Sequence, residues 1–248
     1  MICVISQPTF LPWCGWFDLA DQSDAMILLD DVAFSRQSWQ QRNRIRTPNG
    51  LEFLSVPVKT AGRSGQKILE CELAAEPFLE KMLKSLRINY AKAPFFAAAI
   101  DEFSSVMQAA VATGRLVELN CALIAWMAKR LCITTPMIRA STLGAGGQRG
   151  EHVAALCESV KADRYLSPAG AEAYLLDDRL AFDRRGISIW LHVYKQPEYR
   201  QIFSPFMPYA SALDLIFNAG PEAPEVMRSG RGMARLLADA VNSYSAEN

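Results

Sequence analysis

Histidine is scarce in this chain: 248 residues hold two, His152 and His192, far apart in sequence. The six cysteines, at 3, 14, 71, 121, 132 and 157, include no C-x-x-C pair. A zinc site would have to borrow distant ligands, so no metal centre is expected. Cys3, Cys121, Cys132 and Cys157 lie in apolar patterns and read as buried free thiols. A charge excess is also missing, since Lys plus Arg and Asp plus Glu are both 26. That balance gives no sign of a nucleic-acid or membrane surface, so neither a DNA partner nor membrane insertion is expected. No apolar run approaches the roughly 20 residues that span a bilayer. The N-terminus lacks a basic stretch followed by a signal-length apolar core, and the expected location is cytoplasmic. There is no internal repeat and no low-complexity tract.

What is present is an ordinary globular composition, 50% hydrophobic and 21% charged. The length suits one large domain, or one domain with a sizeable subdomain. MICVI (1–5) and AMILLDD (25–31) read as buried strands, separated by helical spacing in GWFDLADQSD. SWQQRNRIRTPNGLEFLSVPV (38–58) alternates about Asn49-Gly50, a hairpin signal. TAGRSGQ (60–66) reads as a polar, mobile loop. Helical periodicity fills Glu76 to Cys132, with Pro77 and Pro94 at first-turn positions. PMIRAS (136–141) returns to a strand. LGAGGQRGEHVAALCESVKA enters a helix through glycines. DRYLSPAGAEAYL is a strand–loop–helix and GISIWLHVY (186–194) another strand. SALDLIFNAGPEAPEVM and RGMARLLADAVNSY read as terminal helices. The expected fold is α/β: a Rossmann-like, mostly parallel sheet with flanking helices, a β-hairpin and a helical subdomain. Residues 1–75 form an N-terminal α/β half with the hairpin, 76–135 a helical insert, and 136–248 a C-terminal α/β half completing the same domain.

Chemistry concentrates in a few stretches. SQPTFLPWCGWFDLA (6–20) follows the first strand, where open α/β sheets bind ligands. Phe10, Trp13, Trp16 and Phe17 offer flat apolar walls, with Gln7 as a polar contact. The same aromatics could instead clamp the helical insert onto the sheet. Asp30-Asp31 closes the second strand and could bind Mg²⁺, act as a base, or accept loop N–H groups. Arg42, Arg44 and Arg46 share one face of a strand, and an anionic substrate or the two aspartates would answer their charge. GAGGQRG (144–150) could cradle a phosphate or simply connect strand to helix. Ser167 in LSPAGAEAYL could bind a ligand or cap a helix. Cys14 is the thiol to test for reactivity, and His192 is a candidate base.

QPTFLPWCGWFDLADQSD, LLDDVAFSRQSWQQRNRIRTPNG, LSVPV, YLSPAGAEAYL and QPEYRQIFSPFMPYASALDLIFNAGPE together resemble the WbqC-like protein family, in the family's order and across nearly the whole chain. The resemblance places recurrent polar residues at Gln7, Asp30, Asp31, Ser35, Arg42, Asn43, Arg44, Ser167, Gly170, Tyr199, Ser211, Asp214, Asn218 and Gly220. Family members occur among bacterial O-antigen and other surface-polysaccharide genes, and a transfer of an amino acid such as glycine to an amino sugar has been suggested for some. The chain departs from the pattern at Ser6, where histidine is common; at Cys14, where an aliphatic residue is usual; and at Gln148-Arg149-Gly150, in place of K-T-D. A mechanism resting on the histidine before Gln7 does not transfer to this chain.

The resulting expectation is a small-molecule transferase moving an acyl or aminoacyl group onto an amine of an amino sugar or sugar nucleotide. Asp30, Asp31, Gln7 and His192 are its catalytic candidates. Trp13, Ser35, Arg42, Asn43, Arg44, Ser167, Gly170, Tyr199 and Asn218 are its substrate-binding candidates. The acyl donor would be an aminoacyl-tRNA, a thioester or an adenylate. The alternatives are nucleotidyl transfer with ATP and Mg²⁺ as cofactors, and a non-catalytic ligand-binding component of a biosynthetic complex.

Overall fold

The computed structural model describes residues 1–75 and 77–237. The chain runs β1 (Ile2–Ser6), α1 (Cys14–Asp21), β2 (Ala25–Leu28), β3 (Arg42–Thr47) and β4 (Gly50–Ser55). The helices α2 (Phe78–Tyr90), α3 (Phe96–Val111) and α4 (Leu116–Arg130) follow. Then come β5 (Met137–Arg139), α5 (Gly150–Ser159), β6 (Arg164–Ser167), α6 (Glu172–Asp183) and β7 (Ser188–Leu191). The described chain ends with α7 (Ala212–Ala219), α8 (Ala223–Ser229) and β8 (Arg235–Leu236). The fold is mixed α/β, as the strand and helix periodicities require. One six-stranded sheet has the order β5-β2-β1-β6-β7-β8, and β3-β4 is a separate antiparallel hairpin. All pairings in the large sheet are parallel except β7 with β8.

This order has a consequence for ligand binding. From β1 the chain first builds to one side, through β2 to β5, then crosses to the other side for β6 and β7. The crevice between β1 and β6, past their C-terminal ends, is therefore the topological switch point. Every residue of β2 is buried, as a central strand covered on both faces must be. In β1, Val4 faces a core shared with α1, the α2–α4 helices and α7, whereas Cys3 and Ile5 face a second core with α5 and α6. That alternation is why ICVI is apolar throughout.

Several elements differ from their sequence patterns. The apolar period over 211–227 is not one helix. Gly220 turns the chain at φ +53, and a side chain there would meet the Phe95 ring at 2.3 Å. Pro221 then opens a short 3-10 turn before α8. The expected last helix, RGMARLLADAVNSY, contributes Arg235–Leu236 as a strand on β7, and residues 238–244 lie outside the described residues. The hairpin reverses at Pro48-Asn49, with Gly50 at φ +119 already paired to Thr47. Of the thiols expected inside, Cys3 and Cys157 are buried, Cys121 is half-buried and Cys132 is exposed. Cys132 sits just past α4 at φ +53, where the helical period no longer governs burial.

No described helix is long and apolar enough to cross a membrane.

Candidate functional site

A cleft of about 440 Å³ opens at the switch point, within the usual range for a small-ligand site. Its lining comes from the C-terminal ends of three adjacent strands: Ser6 closing β1 and Thr9 after it, Pro168 and Gly170 after β6, and His192 after β7. Trp13, Trp16, Trp39, Tyr194 and Tyr209 form the walls, and Asn43 and Arg44 enter from the hairpin.

The proline-rich loop before α1 is held by its backbone. Asn43 Nδ2 donates to the carbonyls of Phe10 (3.1 Å) and Leu11 (2.8 Å). Asn120 Nδ2 donates to those of Pro8 and Gln40, both at 2.8 Å. The N–H of Ala212 reaches the Pro12 carbonyl at 2.9 Å. With so many carbonyls taken, the loop presents a fixed surface to the cleft. Trp13 stands at the helix N-cap, and its indole folds back over Gly15. A Cβ on Gly15 would lie 2.3 Å from that ring, so glycine is the residue that lets it lie there. Trp13 meets Tyr194 and Tyr209 edge-on, each at 5.5 Å between centroids. Trp16 is fixed by its own indole N–H, which donates to Ser6 Oγ at 2.9 Å. Phe10 and Phe17, expected as walls, are fully buried core residues instead. The aromatic loop thus serves both ends, two rings facing the cleft and two facing the core.

Behind the cleft lies a polar array with a buried centre. His192 Nε2 is 2.7 Å from Asp18 Oδ2, and neither side chain is more than 6% exposed. Asp18 also accepts from Arg231 Nε at 2.9 Å and from Gln22 Nε2 at 2.6 Å. The imidazole stacks on Tyr194 at 5.9 Å. With Nε2 turned to the carboxylate, Nδ1 has no hydrogen-bond partner among the described residues. The array is anchored further by Arg228, whose fork binds both oxygens of Asp21 at 2.7 and 2.8 Å. That contact, with Arg231, holds the Asp21 carboxyl below its usual range.

On the opposite side, Arg44 places its guanidinium 5.3 Å from the Trp39 ring centre and donates to the Tyr209 carbonyl at 3.3 Å. Its Nε is shielded and finds no acceptor.

A family model for the WbqC-like protein family matches residues 7–226. The chain belongs to the WbqC-like protein family. An uncharacterised protein of Mycobacterium tuberculosis (strain ATCC 25618 / H37Rv), Rv1507c, is 32% identical to this WbqC-like chain over 225 residues, 90% of this chain and 96% of the relative. No solved structure matches.

In this WbqC-like protein the anticipated residues fall into three groups. Trp13, Asn43, Arg44, Gly170 and His192 line the cleft. Gln7, Ser167 and Arg42 lie beside it. Gln7 Oε1 accepts from Gln40 Nε2 at 2.8 Å. Ser167 is fully buried, its carbonyl taken by the His192 N–H. Arg42 lies over Phe53. The remaining residues serve other networks. Asp30 is fully buried and consumed by Arg139 Nε (2.6 Å), the Ser141 N–H (2.9 Å) and Ser141 Oγ (2.8 Å). Asp31 faces His152 Nε2 at 3.1 Å. Ser35 donates its N–H to Gln40 Oε1. Tyr199 donates to Asp214 at 2.6 Å, and Asn218 donates to the Asp214 carbonyl at 2.8 Å. Asp30 and Asp31 therefore do not converge with the hairpin arginines: Asp30 is held by β5 and the turn after it, and Asp31 by α5. The glycine stretch 144–150 also lies outside the cleft, and its Gly150 N–H donates to the Asp178 carboxylate at 3.0 Å rather than standing open for a phosphate.

Burial pushes the Cys14 thiol up to about 12, so it is not a ready nucleophile at neutral pH. Among the described residues, no group of three or more His, Cys, Asp and Glu could hold a metal ion. Asp18, Trp39, Tyr194, Tyr209 and Arg231 were not anticipated. Asp18 and Asp21 had a signal, since spacing by three puts two acidic side chains on one face of an otherwise apolar helix.

Proposed function

We propose that the cleft carries out group transfer to a nucleophilic amine, with His192 as general base: an acyl or aminoacyl group moves onto an amino sugar or a related small amine. The reading rests on the His192–Asp18 pair at the wall of an aromatic cleft on the switch point. A carboxylate on one ring nitrogen orients the imidazole, leaving the other nitrogen to take a proton. The amine attacks the acyl carbonyl, forming the C–N bond. Its proton passes to His192 Nδ1, and the bond to the leaving group breaks as that group takes the proton up. Arg44 holds an anionic portion of donor or acceptor, and the indole and phenol rings pack against the apolar faces of a sugar ring. Family membership is in keeping with this reading through the suggested amino-acid transfer to amino sugars in surface-polysaccharide synthesis.

The test is amide formation followed by mass spectrometry, with thioester, adenylate and aminoacyl-tRNA donors offered against amino sugars and their nucleotide derivatives. His192→Gln should lower turnover by about 10²- to 10⁴-fold, while thermal unfolding reports that the fold is kept. Undiminished turnover in His192→Gln rules the assignment out.

A further inference from the structure

We propose that the outer face of the β3–β4 hairpin is a docking subsite for a nucleoside diphosphate, the handle of an activated substrate whose reacting end lies in the cleft. This deepens the group-transfer reading and rests on it for what the reacting end does.

The observations are independent of His192. Register puts Arg44 opposite Phe53 and Arg42 opposite Ser55, so both arginines share a face with Phe53. Arg42 lies 4.4 Å from the Phe53 ring centre and Arg44 lies 5.3 Å from that of Trp39. The two rings are 5.9 Å apart, and each is 48% exposed. This makes a short ladder of cation, ring, ring and cation running out of the cleft, which Trp39 and Arg44 also line. Neither Arg42 nor Arg44 has a carboxylate partner among the described residues, whereas Arg139, Arg185, Arg228 and Arg231 all do. A ring under a guanidinium leaves its charge undiminished. Side chains two apart on a strand stand about 7 Å from one another, a span that two guanidinium groups can bridge around a pyrophosphate. Exposed aromatic faces offer stacking to a base. A cationic track of two residues, in a chain of zero net charge, is too short for a nucleic-acid strand and sufficient for two phosphates.

The experiment is calorimetric titration of the full chain with UDP, ADP, CDP, GDP, inorganic pyrophosphate and a single-stranded oligonucleotide, at two salt concentrations. At least one nucleoside diphosphate should bind more tightly than pyrophosphate and lose affinity with salt. Arg42→Gln and Phe53→Ser, neither of which lines the cleft, should each weaken it about tenfold with unfolding temperature kept. Arg42→Lys should recover part of the loss. Four outcomes overturn the subsite. One is no binding of any of the four at millimolar concentration. Another is equal affinity in both variants. A third is an oligonucleotide that outcompetes every nucleoside diphosphate. The last is a Phe53→Ser effect on oligomeric state alone. His192-dependent transfer in a protein that binds no nucleoside diphosphate would sink the subsite and leave the cleft reading intact. Diphosphate binding that depends on Arg42, with transfer indifferent to His192, would do the reverse.

Discussion

The two sides of the cleft treat arginine in opposite ways. On the α1–α8 side, Arg228 and Arg231 are paired with Asp21 and Asp18, a cluster in which Asp18 is fully buried. On the hairpin side, Arg42, Arg44 and Arg46 lie against Phe53, Trp39 and Phe203 and against backbone carbonyls. A cation answered by a carboxylate is neutralised, and its work is to hold structure. At Arg42 and Arg44 a cation answered by a ring keeps its charge for whatever arrives, whereas Arg46 is buried. The chain is neutral in total, yet its neutralising carboxylates are unevenly distributed, which an overall charge count conceals.

The largest expected effect comes from disrupting the paired side. Asp18→Ala removes a fully buried carboxylate from His192, Arg231 and Gln22 at once; Arg231 keeps Asp21, but the buried His192 loses its partner. Loss of one partner of a buried pair costs about 3–5 kcal/mol. Urea unfolding should register it as a lower midpoint with an unchanged slope. A cost below about 1 kcal/mol would mean that the array is solvated and that the contrast between the two sides is false.

Next in size is the wall between the sides. Gly15→Ala inserts a methyl group where the Trp13 ring now lies, at 2.3 Å. The helix backbone cannot yield, so the indole must leave its contacts with Tyr194 and Tyr209. Overpacking of this kind costs about 1–3 kcal/mol. Near-ultraviolet circular dichroism should lose aromatic signal, and ligand affinity should fall with it. An unchanged aromatic spectrum would show that Trp13 does not form the wall.

Much of this architecture was legible in the residues. Continuous apolar runs at 1–5 and 25–29 identify central parallel strands, because only strands covered on both faces need no polar alternation. Trp13 and His192 could be picked out because each follows a strand, Arg44 because arginine alternates along β3, and Asn43 only through the family resemblance. The partners of those residues could not. Asp18 meets His192 across 174 positions and Arg231 across 213, and no local period encodes such a pairing. Asp30-Asp31 was misleading for a definite physical reason. The register of β2 with β5 puts Leu28 beside Arg139, so a cation arrives from the neighbouring strand and binds Asp30 before any hairpin arginine can. A carboxylate at a strand end has the same sequence signature whether a ligand or an adjacent strand satisfies it. The division of the opening aromatics was equally hidden, since Phe10 and Phe17 face the core and Trp13 and Trp16 the cleft by virtue of loop geometry rather than hydrophobicity.

Acid probes the paired side with a smaller effect. The Arg228 fork, with Arg231, lowers the Asp21 carboxyl in the folded state. A group lowered on folding contributes stability that is complete above its unfolded value, about 3.9 for aspartate, and that fades as pH falls through the folded value. Asp21→Asn should therefore be less stable than the parent at pH 6, and the gap should close below about pH 4. A gap that stays constant with pH would assign the contact to hydrogen bonding rather than to charge.

The smallest effect belongs to the hairpin, and it bears most directly on what the exposed arginines do. Arg42 is partly exposed and its chief contact is the Phe53 ring, an arrangement that contributes about 0.5 kcal/mol at an exposed site. Arg42→Gln should barely move the urea midpoint. Salt should likewise leave the parent's hairpin stability almost unchanged, because among the described residues no ion pair is present there to be screened. If Arg42→Gln instead costs as much as a change in the α1–α8 cluster, the ring is acting as a structural counter-charge. The cation would then be tied into the fold in the way Arg228 is, and a polar surface that looks open would already be in use. A near-zero cost leaves an arginine that stabilises nothing, held in place over an aromatic ring at the mouth of a cleft, whose charge is available only to a ligand.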